Sequence, residues 1–211
     1  DLHSFPTRRS SDLLVVRFTA FVSFPLLFGL AIVSHEFIML AIGEKWAFAA
    51  SLLPLLCLCG AFMPLSTLLT DSVISQHRSD IYLWSTIALG VLQIALMVGL
   101  WRQGIMVMVV AYTLLNIAWM FVWHFFVRRL MGYRLTDFLK DILPFALAAA
   151  FVMGLTWLIT YQFTVYSLRF TDDYLRLWIL LISRVVMAML LYYGLMRIAG
   201  AVILKEVMAL L

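Results

Sequence analysis

Ile81–Leu100 reads IYLWSTIALGVLQIALMVGL, twenty residues without a formal charge. As a helix rising 1.5 Å per residue, such a run is about 30 Å long, the thickness of a bilayer's hydrocarbon core. Membrane-spanning strands would need segments of about ten residues alternating in polarity, and this run is apolar on all sides. Lipid offers no hydrogen-bond partners, so a helix, which satisfies its own backbone, is the reading that remains.

Five further stretches of that length flank it: Leu14–Ser34, Trp46–Thr70, Ile105–Val127, Ile142–Tyr161 and Leu175–Ala199. The chain therefore reads as an all-α membrane protein of about six transmembrane helices. Its 211 residues are 65% hydrophobic and 12% charged, with a mean hydropathy of +1.05, whereas a soluble domain carries roughly 25% charged residues. The net charge of +4 does not point to nucleic acid, because the basic residues sit at span ends and form no stripe.

The segment His3–Leu13, HSFPTRRSSDL, resembles the translation of a sequencing-adapter tail, and residues 1–13 are set aside from fold reasoning as a scar. They hold two arginines and two aspartates, so the net charge is unaffected. The expectation is that residues 14–211 are the C-terminal helices of a longer protein whose reading frame continues upstream.

Arg128, Arg129, Arg134 and Lys140 stand against Asp137 in one connection, which the positive-inside rule assigns to the cytoplasm. Alternation then puts Arg17, Arg78, Arg197 and Lys205 on the same side, Lys45, Arg102, Arg169 and Arg176 on the other, and both chain ends in the cytoplasm. Trp46, Trp101, Tyr161, Tyr174 and Trp178 mark the outer headgroup layer, and Trp84 and Trp123 the inner one. Trp119 and Trp157 lie deeper and suit either packing or an interface. Pro25, Pro54, Pro64 and Pro144 fall inside spans and tend to bend them.

Catalytic groups are not assembled on either side. His3, His35, His77 and His124 have no metal-ligand spacing, no glycine-rich phosphate loop occurs, and neither a metal nor a cofactor is expected. Cys57 and Cys59, two apart on a helix, point about 200° apart and cannot close a disulfide. The ionisable residue deep inside a span is Arg184, at a cost of about 2.5 to 3.5 kcal/mol on insertion scales. No span has a carboxylate at that depth, so its partner is expected from elsewhere: a carboxylate on missing helices, water or headgroups reached by snorkelling, or an anionic substrate. Arg17 lies one turn from the inner surface, where snorkelling suffices. Gln93 and Asn116, at the middle of spans three and four, can bond across helices or line a cavity. Asp71, with Ser66 and Thr67 one turn earlier, ends span two as a cap or interface residue. The candidate substrate-binding set is Arg184, Asn116, Gln93 and Arg17.

Several features come in a telling order: Pro25-Leu26 and Gly29, then Gly43-Glu44-Lys45-Trp46, Pro64-Leu65, the polar corner Ser75-Gln76-His77-Arg78-Ser79-Asp80, Gly104-Ile105, and Pro144. From Phe18 to about Tyr161 the chain resembles the C-terminal half of bacterial oligosaccharide flippases, the polysaccharide-biosynthesis exporters of the multidrug/oligosaccharidyl-lipid/polysaccharide superfamily. The corner departs from that family's small residue, glycine and basic residue by having His77 before Arg78. The resemblance implies about fourteen helices in two lobes around a central cavity, in the bacterial inner membrane. It implies an undecaprenyl-pyrophosphate-linked oligosaccharide moved between leaflets for lipopolysaccharide, capsule or exopolysaccharide synthesis. The partners it implies are the bilayer, the lipid-linked sugar and the upstream helices; basic cavity residues would hold pyrophosphate or acidic sugars, giving Arg184 a functional reading. A membrane glycosyltransferase, polymerase or ligase would need a large outer loop rich in acids or Arg and His. The longest outer connection, Gln162–Tyr174, has only Arg169, Asp172 and Asp173. A drug or lipid exporter of the same superfamily is the other alternative.

Overall fold

The computed structural model describes residues 5–132, 135–167 and 173–198. Arg134, Arg169, Asp172, Lys205 and the expected end of span six at Ala199 lie outside the described residues, as do the side chains of Arg8, Arg9 and Asp137. The helices are α1 (Phe5–Ile32), α2 (Ser34–Ala41), α3 (Ala47–Ser75), α4 (Ser79–Leu100), α5 (Ile105–Met131), α6 (Leu135–Ser167) and α7 (Asp173–Ile198). Short 3-10 turns at Glu44–Trp46 and Trp101–Gln103 lead into α3 and towards α5. Six helices are long and apolar enough to cross a membrane, and no strand occurs among the described residues. This is an all-α membrane protein.

Most helices run a turn or more beyond the spans read from hydropathy, because a helix does not stop where hydrocarbon ends. α1 begins at Phe5 with Pro6 in its first turn, where a missing N–H leaves no bond unmade. Arg128 and Arg129 form the last turn of α5, and Lys140 is already helical in α6. The described part of the supposed long basic connection is thus mostly helix, with Arg128 and Arg129 at the favourable negative end of a dipole.

Without water to drive helices together, packing at close range holds such a bundle. α1 lies at its centre, with α3 on one flank and α6 on the other; α5 and then α4 extend the first flank, and α7 the second. Small residues allow the approach: Ala20, Ala61 and Ala149 are fully buried, and a Cβ added at Gly60 would stand 3.4 Å from Leu27. Around them Phe24, Leu65, Val73, Phe138 and Ile142 form the core, with Phe24 edge-on to Phe62 at 5.2 Å.

Two connections at one end, here the Gly43 end, use glycines at φ +93 (Gly43) and +96 (Gly104) with extended ψ, a region essentially restricted to glycine. The opposite corner, the His77 end, is made differently. His77 itself is left-handed at φ +57 and donates its N–H to Ile74 O at 2.9 Å, closing α3. A left-handed site is where glycine is the default residue, so the departure seen in sequence falls on the one non-glycine residue with positive φ among those described. Next to it Arg78 donates to Asp80 through Nε and Nη2 at 3.1 and 3.2 Å. That hydrogen bonding raises the exposed guanidinium above its ordinary pKa.

Candidate functional site

Two groups of polar side chains inside the bundle carry the candidate site residues. The first surrounds Arg184. Its Nη1 donates to Glu36 Oε1 at 2.7 Å and to Ile32 O at 3.1 Å, and its Nε donates to Thr160 Oγ1 at 3.2 Å. The paired side chains keep only 12% (Arg184) and 5% (Glu36) of their exposure.

Arg184 therefore has a carboxylate partner within the chain, which corrects the expectation that the partner must come from elsewhere. Hydropathy ended span one at Ser34, two residues before Glu36. In the structure the helix only kinks at Val33 (φ −92, ψ 7). Phe37 N donates to Val33 O at 2.8 Å, and α2 carries the axis on to Ala41. The six spans alternate, so α1 and α2 run antiparallel to α7. Side chains lean towards the N-terminus of their own helix, so Glu36 and Arg184 lean towards each other. The last carbonyls of a helix lack intrahelical donors, and Ile32 O, at the end of α1, takes one from Arg184. On α6, Thr156 and Thr160 donate to the carbonyls of Val152 and Thr156, each at 2.8 Å, so the Thr160 oxygen meets Arg184 as an acceptor. Glu36 was legible: no glycine or proline intervenes between Ser34 and Gly43 to stop the helix.

The second place is an open cleft of about 380 Å³ between α3, α4 and α5, in the half of the bundle nearest His77. Its wall is apolar at Phe62, Met63 and Ile74 of α3 and Leu89 of α4; among these α3 sets Cys59, Ser66, Thr67, Thr70 and Asp71, α4 Tyr82 and Thr86, and α5 Tyr112, Asn116 and Trp123. Asn116 is held from both sides: its Nδ2 donates to Tyr112 O at 2.8 Å and its Oδ1 accepts from Gln93 Nε2 at 3.3 Å. Trp123 is 4% exposed and stacked on Tyr82, ring centroids 6.1 Å apart. It is thus a packed wall residue and not the headgroup anchor its place near the span end suggested, because it faces α4 and not lipid. Trp84 is 70% exposed. Asp71 is exposed within α3, which continues to Ser75, so it caps nothing and lies at the cleft's His77 end.

Arg17 is exposed on α1 and lines neither place. Cys57 and Cys59 are free thiols, the first buried and the second half-buried. No group of metal-ligating side chains occurs among the described residues. Of the residues that the sequence singles out, Asn116 stands in the cleft wall with Gln93 behind it, and Arg184 in the separate ion-pair cluster.

No protein-family model matches the sequence, and no solved structure matches the chain. Among curated proteins, it is 25% identical over 144 residues, 67% of this chain and 30% of the relative, to the teichuronic acid biosynthesis protein TuaB of Bacillus subtilis (strain 168). It is 31% identical over 62 residues, 29% of this chain and 13% of the relative, to an uncharacterized membrane protein in the cps region of Klebsiella pneumoniae. The matched parts span less than a third of either relative's length.

Proposed function

We propose that this chain is part of an inner-membrane transporter, not an enzyme, that carries an oligosaccharide linked to undecaprenyl pyrophosphate from the cytoplasmic to the outer leaflet. Both described ends face the cytoplasm in this reading, and so does the His77 corner. The observation that carries it is the cleft between α3, α4 and α5, whose wall mixes polar and apolar side chains. Ser66, Thr67, Thr70, Asp71 and Asn116 bring polar groups to a cavity of about 380 Å³ whose wall also holds Phe62, Met63, Ile74 and Leu89. Polar groups at membrane depth are costly unless they serve each other or a hydrophilic path. The likeness to a teichuronic acid biosynthesis protein supports a surface polysaccharide as the cargo's destination.

A sugar leaving water needs its hydroxyl groups hydrogen-bonded, and the wall supplies such groups while the lipid tail stays in hydrocarbon. The bundle then has to open alternately towards each side, with Pro54 and Pro64 in α3 as places where the axis can bend. Arg184 serves in this reading as a tie between helices.

Deletion of the full gene in its host tests the proposal. Surface polysaccharide should fall sharply while the lipid-linked oligosaccharide accumulates facing the cytoplasm. Accumulation in the outer leaflet instead would favour a polymerase or ligase, and unchanged polysaccharide and intermediates would overturn the transport reading.

A further inference from the structure

The cleft wall can be read group by group for what it offers a ligand. The hydroxyl protons of Thr67 and Thr70 are engaged: they donate to Met63 O at 3.1 Å and to Ser66 O at 2.9 Å. Each oxygen is left facing outward as an acceptor. The Asn116 amide, which has donors, has one directed at Tyr112 O and its carbonyl filled by Gln93. At the His77 end stands Asp71, a carboxylate with acceptors only. No Lys, Arg or His occurs among the described residues that line the cleft. Thr67, Thr70 and Asp71 thus turn acceptors and one negative charge towards its interior.

Ser66, Thr86, Tyr82 and Tyr112 add hydroxyls that can donate or accept, but no cation among the described residues faces the cleft, and Asp71 repels an anion that would need one. Neutral sugar hydroxyls bring their own donors, an amino sugar brings an ammonium, and Tyr82 and Tyr112 offer rings to the apolar face of a pyranose. The volume lies within the range of small-molecule sites, about 300 to 1,000 Å³.

We infer that the cleft is a water-filled vestibule that takes an uncharged or amino-bearing sugar unit and turns away anionic groups such as a pyrophosphate or a uronate. The inference rests on the transport reading for its cargo and adds the charge class of the sugar this half of the bundle accepts. The anionic part of a lipid-linked substrate then binds outside this cleft.

Cys59 is a native reporter. It lines the cleft, twelve residues or about 18 Å along α3 from Asp71, so a reagent entering from the His77 end passes Asp71 first. Cys57 is buried at 3% exposure. In open membrane sheets carrying the full-length protein with Cys57→Ala, Cys59 is treated with a trimethylammonium-ethyl and a sulfonato-ethyl methanethiosulfonate, and its modification is read by peptide mass spectrometry. After division by the ratio at free cysteine, the cation should react faster than the anion by about tenfold. Asp71→Asn should bring that ratio to within about twofold of unity. N-acetylglucosamine or glucosamine at saturation should slow the reaction, and glucuronate should not.

No modification by either reagent, a ratio already at unity, a ratio that Asp71→Asn leaves unchanged, or protection by glucuronate as strong as by N-acetylglucosamine would each overturn the inference. The gene deletion separates the two failures. Unselective Cys59 chemistry alongside lost polysaccharide export sinks this inference alone; selective chemistry alongside normal export sinks the transport reading.

Discussion

The two flanks of α1 treat polar side chains in opposite ways. On the α6 and α7 flank, one arginine meets a carboxylate, a helix-end carbonyl and a threonine oxygen, and the cluster is closed to solvent. On the α3, α4 and α5 flank, hydroxyls and a carboxylate line a cleft that stays open. A buried arginine that meets a carboxylate, a carbonyl and a hydroxyl on three other helices serves to fix those helices against one another, even though Glu36 Oε2 is left without a partner among the described residues. Polar groups facing an unfilled volume are left available for something else. Depth in the membrane does not distinguish these cases; partner accounting does.

The largest effect expected from breaking this contrast is on the closed side. Arg184→Leu should cost about 3 to 5 kcal/mol, because it leaves Glu36 charged and buried without its partner. Thermal aggregation in mild detergent should show the loss. Adding Glu36→Leu should restore most of it, since a buried pair replaced by apolar side chains is often neutral or better. If the double variant stays as unstable as the single one, the damage lies in packing and not in charge.

Arg184→Lys keeps the charge but not the guanidinium that reaches Glu36, Ile32 and Thr160 together. It should cost about 1.5 to 3 kcal/mol, the range for a lost hydrogen bond to a charged group, measured in the same assay. His77→Gly acts at the corner leading out of the cleft and should stabilise by about 0.5 to 1 kcal/mol by relieving left-handed backbone at a residue with a side chain. A lower melting temperature in that variant would mean that the His77 side chain does more than tolerate its φ. Smallest is Gln93→Leu. Losing the bond to Asn116 should cost about 0.6 kcal/mol, with an effect on export that exceeds its effect on stability because Asn116 is freed to turn.

The number and order of the spans were legible because each depends only on composition over about twenty residues. Arg184, Gln93 and Asn116 were conspicuous as polar residues in apolar runs. What the sequence did not reveal was which of them meet. Hydropathy stopped span one at Ser34 and so placed Glu36 outside the membrane, although the uninterrupted stretch to Gly43 pointed to a continuing helix. The roles of Trp123 and Asp71 depended on how α3, α4 and α5 are rotated about their axes. That rotation is set by packing at residues such as Ala61 and Leu65, and a span end carries no record of it. His77 was visible as an oddity, and only the backbone shows that the oddity occupies a left-handed position.

The contrast between a closed cluster and an open cleft can be measured in one experiment. In open membrane sheets, with Cys57→Ala throughout, a charged aqueous thiol reagent is applied to the protein carrying native Cys59 and to one carrying Cys59→Ala with Thr156→Cys, a side chain with no exposure beneath Arg184. The account predicts rapid modification at position 59 and none at position 156. Equal reactivity at the two positions, or faster reaction at 156, would contradict it.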